Sequence, residues 1–136
     1  MMTISDKPLD VQAVINAVQT DEAGAINVFI GTVRNQTAQK NVVGLEYEAF
    51  EAMAIKKMQE IAEEAKAKFP VLKVAIAHRV GKLKLGEMAV VIAVATPHRA
   101  ESFAACKFII DTLKEVVPIW KKEIFEDGEV WVSAHA

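Results

Sequence analysis

The stretch Thr112–Glu123, TLKEVVPIWKKE, holds the end of one element and the start of another. Proline lacks an N–H and its ring clashes with the preceding turn, so a helix arriving from upstream should stop near Val117. Beyond Pro118, Ile119 to Phe125 reads as a strand. Asp127-Gly128 is a hairpin signal, and Val130 to Val132 returns as its partner strand. Lys114 and Lys121 flank the break. A lysine in a last turn favours the negative end of the helix dipole, so spacing alone leaves both as solvated surface lysines.

Upstream, Thr96 suits an N-cap and Pro97 a first helical position. Phe103, Cys106, Ile110, Leu113 and Val117 recur at helical spacing and form the expected buried stripe. Met88–Ala95 is a continuous apolar run, expected to be a central strand. Lys73–Val80 alternates, with Val74, Ile76 and His78 on one face. Gly81–Gly86 reads as a turn region with a short strand near Leu83 and Leu85. Glu51–Phe69, closed by Pro70, carries the apolar spacing of an amphipathic helix of about five turns. Val42–Ala49 alternates as a half-buried strand with Val43, Leu45, Tyr47 and Ala49 inward. Residues 35–41 are polar and aperiodic, and read as a mobile loop. Ala25–Val33 is apolar and β-branched, as a buried strand would be. Asp10 caps a short helix, Val11–Gln19. Helices separated by paired strands, with a terminal hairpin, give an α+β class with mostly antiparallel pairing.

At 136 residues, 52% hydrophobic and 25% charged, the chain fits one globular domain over 1–136 with a real core. A net charge of −2 gives no overall reason to expect nucleic acid or a membrane surface. One cysteine excludes an internal disulfide and fits a reducing, cytoplasmic setting. The start, MMTISDKPLD, has no basic region followed by an apolar run, so no secretory leader is expected.

Chemistry-bearing residues are few. His78 sits in an alternating apolar strand and reads as a hydrogen-bonded core or edge histidine. His98 and Arg99 fall at the second and third positions of the helix capped by Thr96, where free N–H groups and the positive dipole end lie. A bound anion would relieve the cost of cations there, so the pair is a phosphate-site candidate. Arg34 ends a strand and opens a polar loop, a common place for function. Thr32 and Val33, just before it, offer backbone groups. Cys106 lies on the apolar stripe with no basic neighbour on that face, and reads as a small hydrophobe rather than a nucleophile. His78, His98 and His135 share no ligand spacing and there is no cysteine pair, so no metal is expected; no Gly-rich phosphate loop follows a strand, and no other cofactor is expected.

Four stretches in order carry a resemblance. They are FIGTVRNQT (Phe29–Thr37), GLEYEAFEAMA (Gly44–Ala54) with HRVGKLKLGE (His78–Glu87), ATPHRAESF (Ala95–Phe103) and LKEVVPIWKKE (Leu113–Glu123). Together they resemble the catalytic, large subunit of molybdopterin synthase. The resemblance implies an α/β hammerhead fold and conversion of cyclic pyranopterin monophosphate to molybdopterin by insertion of two dithiolene sulfurs. The donor it implies is a thiocarboxylate at the Gly-Gly C-terminus of a small ubiquitin-like partner. By the same resemblance Lys114 and Lys121 are catalytic, Arg34, His98 and Arg99 hold the pterin and its phosphate, and Lys122 and Glu123 fall in the same pocket segment. Relatives often continue past the Trp131 strand, so any contact from such a tail is expected to be missing.

Lys114 lies sixteen residues after His98 on what reads as one helix, about 24 Å at 1.5 Å per residue. A pterin phosphate does not readily span that. Serving one substrate, the groups would come from two chains, so a homodimer with each site built across its interface is expected; with the small partner added, the resemblance implies a heterotetramer of two large and two small subunits. Otherwise the helix is broken or one group is outside the site. Two readings compete with the enzyme: a non-catalytic dimeric module that binds an anionic ligand or a protein tail, and a purely structural domain with solvated basic residues.

Overall fold

The computed structural model describes residues 1–37 and 40–133. Along them run β1 (Met2–Ser5), α1 (Val11–Val18), β2 (Ala25–Thr32), β3 (Gln36–Thr37), β4 (Lys40–Ala49), α2 (Glu51–Lys68), β5 (Lys73–Arg79), β6 (Gly81–Lys84), β7 (Met88–Thr96), α3 (Arg99–Val116), β8 (Ile119–Phe125) and β9 (Gly128–Ser133). One sheet has the order β1-β5-β7-β2, and a second the order β3-β4-β8-β9 with β6 also on β4. Only β1–β5 is parallel among these pairs. The α+β, mostly antiparallel expectation holds, with two long helices and a short first one.

β7 is central because its apolar run is covered on both faces. Val90, Ile92 and Val94 pack with Val74 and Ile76 of β5 against Met58 and Ile61 of α2 and Ile109 and Leu113 of α3. Val91, Ala93 and Ala95 pack with Ala75 and Ala77 against Val14 and Val18 of α1. The alternation expected for β5 is therefore incomplete: positions 74–78 are all buried, because small alanines admit α1 on the second face. Asp10 caps α1 as expected, its Oδ1 accepting from the Ala13 N–H at 3.1 Å.

Several expectations change. The N-terminus adds an unanticipated strand, β1, beside β5. β2 is half exposed rather than buried, because it is an edge strand: Ile26 and Ile30 are 38% and 41% exposed. The 35–41 segment is not a plain loop, since Gln36 and Thr37 pair with Asn41 and Lys40; Ala38 and Gln39 lie outside the described residues, as does His135. A register shift between Val42 and Gly44 turns Val43 outward and buries Val42 instead. Phe103 is 65% exposed, and Ser102, Ala105 and Ile109 fill the α3 stripe with Cys106, Ile110 and Leu113.

The start of α3 also differs. Thr96 stays in β7, opposite Ala25, and its hydroxyl donates to the His98 carbonyl at 2.6 Å. His98 is the N-cap and Arg99 the first helical residue, so the cap lies two positions later than Thr96. Gly24 locks this corner. Its N–H donates to the Thr96 carbonyl at 3.0 Å, and a Cβ there would meet the Pro97 carbonyl oxygen at 2.2 Å. Gly24→Ala should therefore lower the midpoint of urea unfolding by the equivalent of about 1–3 kcal/mol, the scale of local overpacking; an unchanged midpoint would show that the corner yields freely.

Candidate active site

The site begins with strand pairing. In the β4–β8 ladder Tyr47 faces Lys121, Leu45 faces Glu123 and Glu46 faces Lys122. Opposed residues share a face and neighbours alternate. Lys121 and Glu123 therefore look inward with Tyr47 and Leu45, and Lys122 looks outward, its Nζ 3.0 Å from Glu46 Oε1.

Two further elements deliver their ends to the same place. α3 leaves β7 and runs back along it, so its last turn lies over the Met88 end, where β7 pairs with Thr32 of β2. Lys114 on that turn, Thr32 and Arg34 after β2, and Lys121 and Glu123 on β8 all line one cavity of about 450 Å³. Tyr47, His78 and the apolar side chains of Phe29, Leu45 and Leu113 complete much of its wall. Its rim is cationic, with Lys114 and Arg34 exposed and Lys121 half-buried.

The inner end is different. Glu123 is 1% exposed and neither carboxylate oxygen has a hydrogen-bond partner. Lys121 Nζ lies 3.8 Å from Oε1, an ion pair without a hydrogen bond. Such a carboxylate is costly unless a donor reaches it, so it is poised to accept from a ligand. Burial, reinforced by the Glu123 charge, pushes the Tyr47 phenol up to about 12. His78 packs edge-on to Tyr47 at 5.0 Å, and its Nδ1 lies 2.8 Å from the Arg79 carbonyl oxygen. Because a carbonyl only accepts, Nδ1 carries the proton. Burial holds the His78 pKa down at about 4, against the smaller opposing effect of that hydrogen bond. His78 is thus the hydrogen-bonded core histidine read from the sequence, and it also lines the cavity.

The structure brings together Thr32, Arg34, Lys114, Lys121 and Glu123. Val33 is 3% exposed and sits in the core; its N–H and C=O are engaged by Glu87 and Gly86. His98 and Arg99 are exposed at the opposite end of α3, which is continuous from Arg99 to Val116. That removes the broken-helix alternative and leaves about 22 Å between Arg99 and Lys114. Cys106 is buried, and desolvation pushes its thiol up to about 11, so it stays protonated and unreactive near neutrality. Among the described residues no cluster of ligating side chains suits a metal ion. Tyr47 was legible as an inward residue of a strand, but its place in the cavity depends on the β4–β8 register.

The model of the MoaE protein family matches residues 4–116. This chain belongs to the MoaE family. A curated relative from Halalkalibacterium halodurans, a molybdopterin synthase catalytic subunit, is 51% identical over 96% of this chain and 83% of its own length. The crystal structure of molybdopterin synthase from Staphylococcus aureus aligns with a TM-score of 0.92 at 40% identity, covering 96% of this chain and 95% of that one. The fold also matches a chain in the complex of subunits 1 and 2 of molybdopterin-converting factor from Helicobacter pylori. That match has a TM-score of 0.79 at 23% identity, over 97% of this chain and 90% of the other. The hammerhead fold expected from the resemblance is the fold of this MoaE chain, and its relatives are enzyme subunits.

The buried His78 gives a pH test. Its folded pKa lies below the ordinary 6.5, so the unfolded chain binds more protons between about 6.5 and 4. The stability it contributes is complete above 6.5 and is lost as pH falls toward 4, at up to about 1.4 kcal/mol per pH unit. His78→Phe should flatten that part of the stability profile relative to the native chain in denaturant titrations. An identical slope in both proteins would show that His78 is not held neutral.

Proposed function

We propose that this chain catalyses dithiolene formation on cyclic pyranopterin monophosphate in the cavity lined by Arg34, Lys114 and Lys121. The sulfur donor in this reading is the thiocarboxylated Gly-Gly C-terminus of a small ubiquitin-like subunit. The observation that carries it is the convergence of three cationic side chains from β2, α3 and β8 on one cavity with a buried, unpartnered carboxylate. The family places the chain among molybdopterin synthase catalytic subunits.

The chemistry fits the groups. Attack of the thiocarboxylate sulfur on the pterin side chain forms a C–S bond and builds negative charge; the oxygen function it displaces leaves with a proton, and water then cleaves the resulting thioester, releasing the partner as its carboxylate and leaving the sulfur on the pterin. Ammonium groups at the cavity rim stabilise that charge and donate the proton. Lys114, exposed on the last turn of α3, is placed to meet an incoming tail, while Lys121 is held by its ion pair with Glu123. Glu123 can accept from pterin N–H groups, satisfying its bare oxygens. With Cys106 buried and protonated, sulfur arrives from the partner rather than from this chain. A free, reduced thiol suits the cytoplasm.

His98 and Arg99 are assigned to the substrate phosphate, supplied to each cavity by the second chain of a homodimer. The homodimer stands at the centre of a heterotetramer. Thr32 and Val33 hold Arg34 at the cavity mouth, and Lys122 steadies the β4–β8 ladder through Glu46.

The test is a single turnover. The protein is mixed with cyclic pyranopterin monophosphate and a thiocarboxylated partner, and product is followed by mass spectrometry. Lys114→Ala should lower the rate by at least about 10²-fold, the scale of losing a general acid or a charge-stabilising donor, while partner binding persists. Normal turnover in the variant would remove Lys114 from the chemistry. Binding of the partner without any product from the native chain would favour a non-catalytic module.

A further inference from the structure

The turn between β6 and β7 is fastened from several sides. Lys84 to Glu87 closes on itself, the Glu87 N–H donating to the Lys84 carbonyl at 3.2 Å. Gly86 supplies the positive φ, 83°, that such a turn takes at its third position. The Glu87 carboxylate then folds back, and its Oε1 accepts from the Lys84 N–H at 2.7 Å. Its other oxygen, Oε2, pairs with Nη1 of Arg79 at the end of β5. The Arg79 side chain is 12% exposed and that of Glu87 31%, so the pair is well shielded from water. The Lys84 N–H, and after it the Arg79 side chain, hold the Glu87 carboxyl below the usual carboxylate range, so it is ionised near neutrality.

Neither Arg79 nor Glu87 lines the catalytic cavity. With Lys82 and Lys84 they border a separate hollow of about 510 Å³, whose wall shares only Leu45 with that cavity among the described residues. The turn reaches the cavity through the backbone instead. The Gly86 N–H donates to the Val33 carbonyl at 2.8 Å, and the Val33 N–H donates to the Glu87 carbonyl at 3.0 Å. Two residues on from Val33, the Asn35 carbonyl accepts from the Val42 N–H at 2.8 Å. Arg34 lies between these two anchors, with its own side chain exposed. The β2–β7 ladder does not hold it. That ladder shifts register between Gly31 and Thr32, and Thr32 opposite Met88 is its last pair.

We propose that the Arg79–Glu87 pair is a positioning element for Arg34: it fixes the Lys84–Glu87 turn, and the turn fixes the Val33 backbone from which the Arg34 guanidinium meets the anionic substrate. This deepens, and rests on, the reading of the cavity as the pterin site. A guanidinium delivered from a fixed backbone gives up less freedom on binding an anion than one carried by a loose segment. Arg79 makes a single-nitrogen contact rather than a bidentate fork, and its Nε is buried without a partner. The pair therefore adds less stability than a fully satisfied one would. What it supplies is the place of the turn.

The clamp can be read without ligand. Glu87→Gln should speed hydrogen exchange of the Val33 and Gly86 amides by at least about tenfold, while the Val91 amide, deep in β7, keeps its native rate. Because an unpaired Arg79 is itself costly, Arg79→Met combined with Glu87→Met forms a second arm, removing the pair without leaving a buried charge. It should loosen the same two amides. In turnover with the thiocarboxylated partner, both variants should raise the KM for cyclic pyranopterin monophosphate about tenfold, the scale of one charged hydrogen bond, with kcat within about twofold of native. Added to Arg34→Ala, neither should raise KM by more than about a further twofold, since the contact they support is already gone. Native exchange at Val33 and Gly86 in both variants overturns the clamp. Loosened amides with a native KM, or a full further loss on top of Arg34→Ala, overturn the positioning of Arg34. Loosened amides together with a native chain that yields no product leave the clamp standing and remove the enzymatic reading beneath it.

Discussion

The register between β4 and β8 decides what every charged residue of the Ile119–Phe125 segment can do. A slip of one residue would turn Lys121 and Glu123 to the outer face and bring Lys122 inward. Burial prevents the slip. Ile119 is fully buried, and Leu45 and Tyr47 pack in the core beside it, so the inner face is specified by apolar area rather than by charge. The Glu46–Lys122 pair on the outer face agrees with that register but adds only about 0–1 kcal/mol, as ion pairs near the surface do. An apolar pattern thus places a lysine and a buried carboxylate together in the cavity wall.

The second constraint is the return of α3 along β7. It brings Lys114 to the Met88 end and leaves His98 and Arg99 at the Thr96 end. The helix is continuous and its stripe is packed against the central strand, so bending does not close the gap. A free β2 edge of the same length runs between those ends. The bare oxygens of Glu123 add an energetic constraint inside the cavity. A buried carboxylate lacking a donor costs stability in the free protein, and that cost is recovered when a ligand supplies N–H groups.

Much of the architecture was legible because it follows from periodicity. The Met88–Ala95 run, the long helices, the Pro118 break and the Asp127-Gly128 turn each rest on one local physical rule, and each appears in the fold. The errors fall where tertiary context outweighs a local rule. Thr96 and Pro97 form a good cap pair, but β7 keeps Thr96 for its pairing with Ala25 and moves the cap to His98. Val43 fits an alternating strand until the shift at Gly44 reverses its face. β2 looks like an interior strand because nothing in its composition says that it lacks a neighbour. Of the site, Lys114, Lys121, Arg34 and Glu123 were named through a family resemblance, since two lysines about a proline carry little by themselves. Tyr47 and His78 carried no such signal, because a residue's place in a cavity depends on contacts between distant segments.

The most direct measurement is a crystal structure of this chain with cyclic pyranopterin monophosphate. The account predicts the pterin ring in the cavity between Lys114, Lys121 and Glu123, with its N–H groups on the Glu123 carboxylate and its phosphate against Arg34 and the His98 and Arg99 of a second chain. A ligand seated elsewhere, or one whose phosphate is held wholly by a single chain with His98 and Arg99 left in solvent, would contradict it.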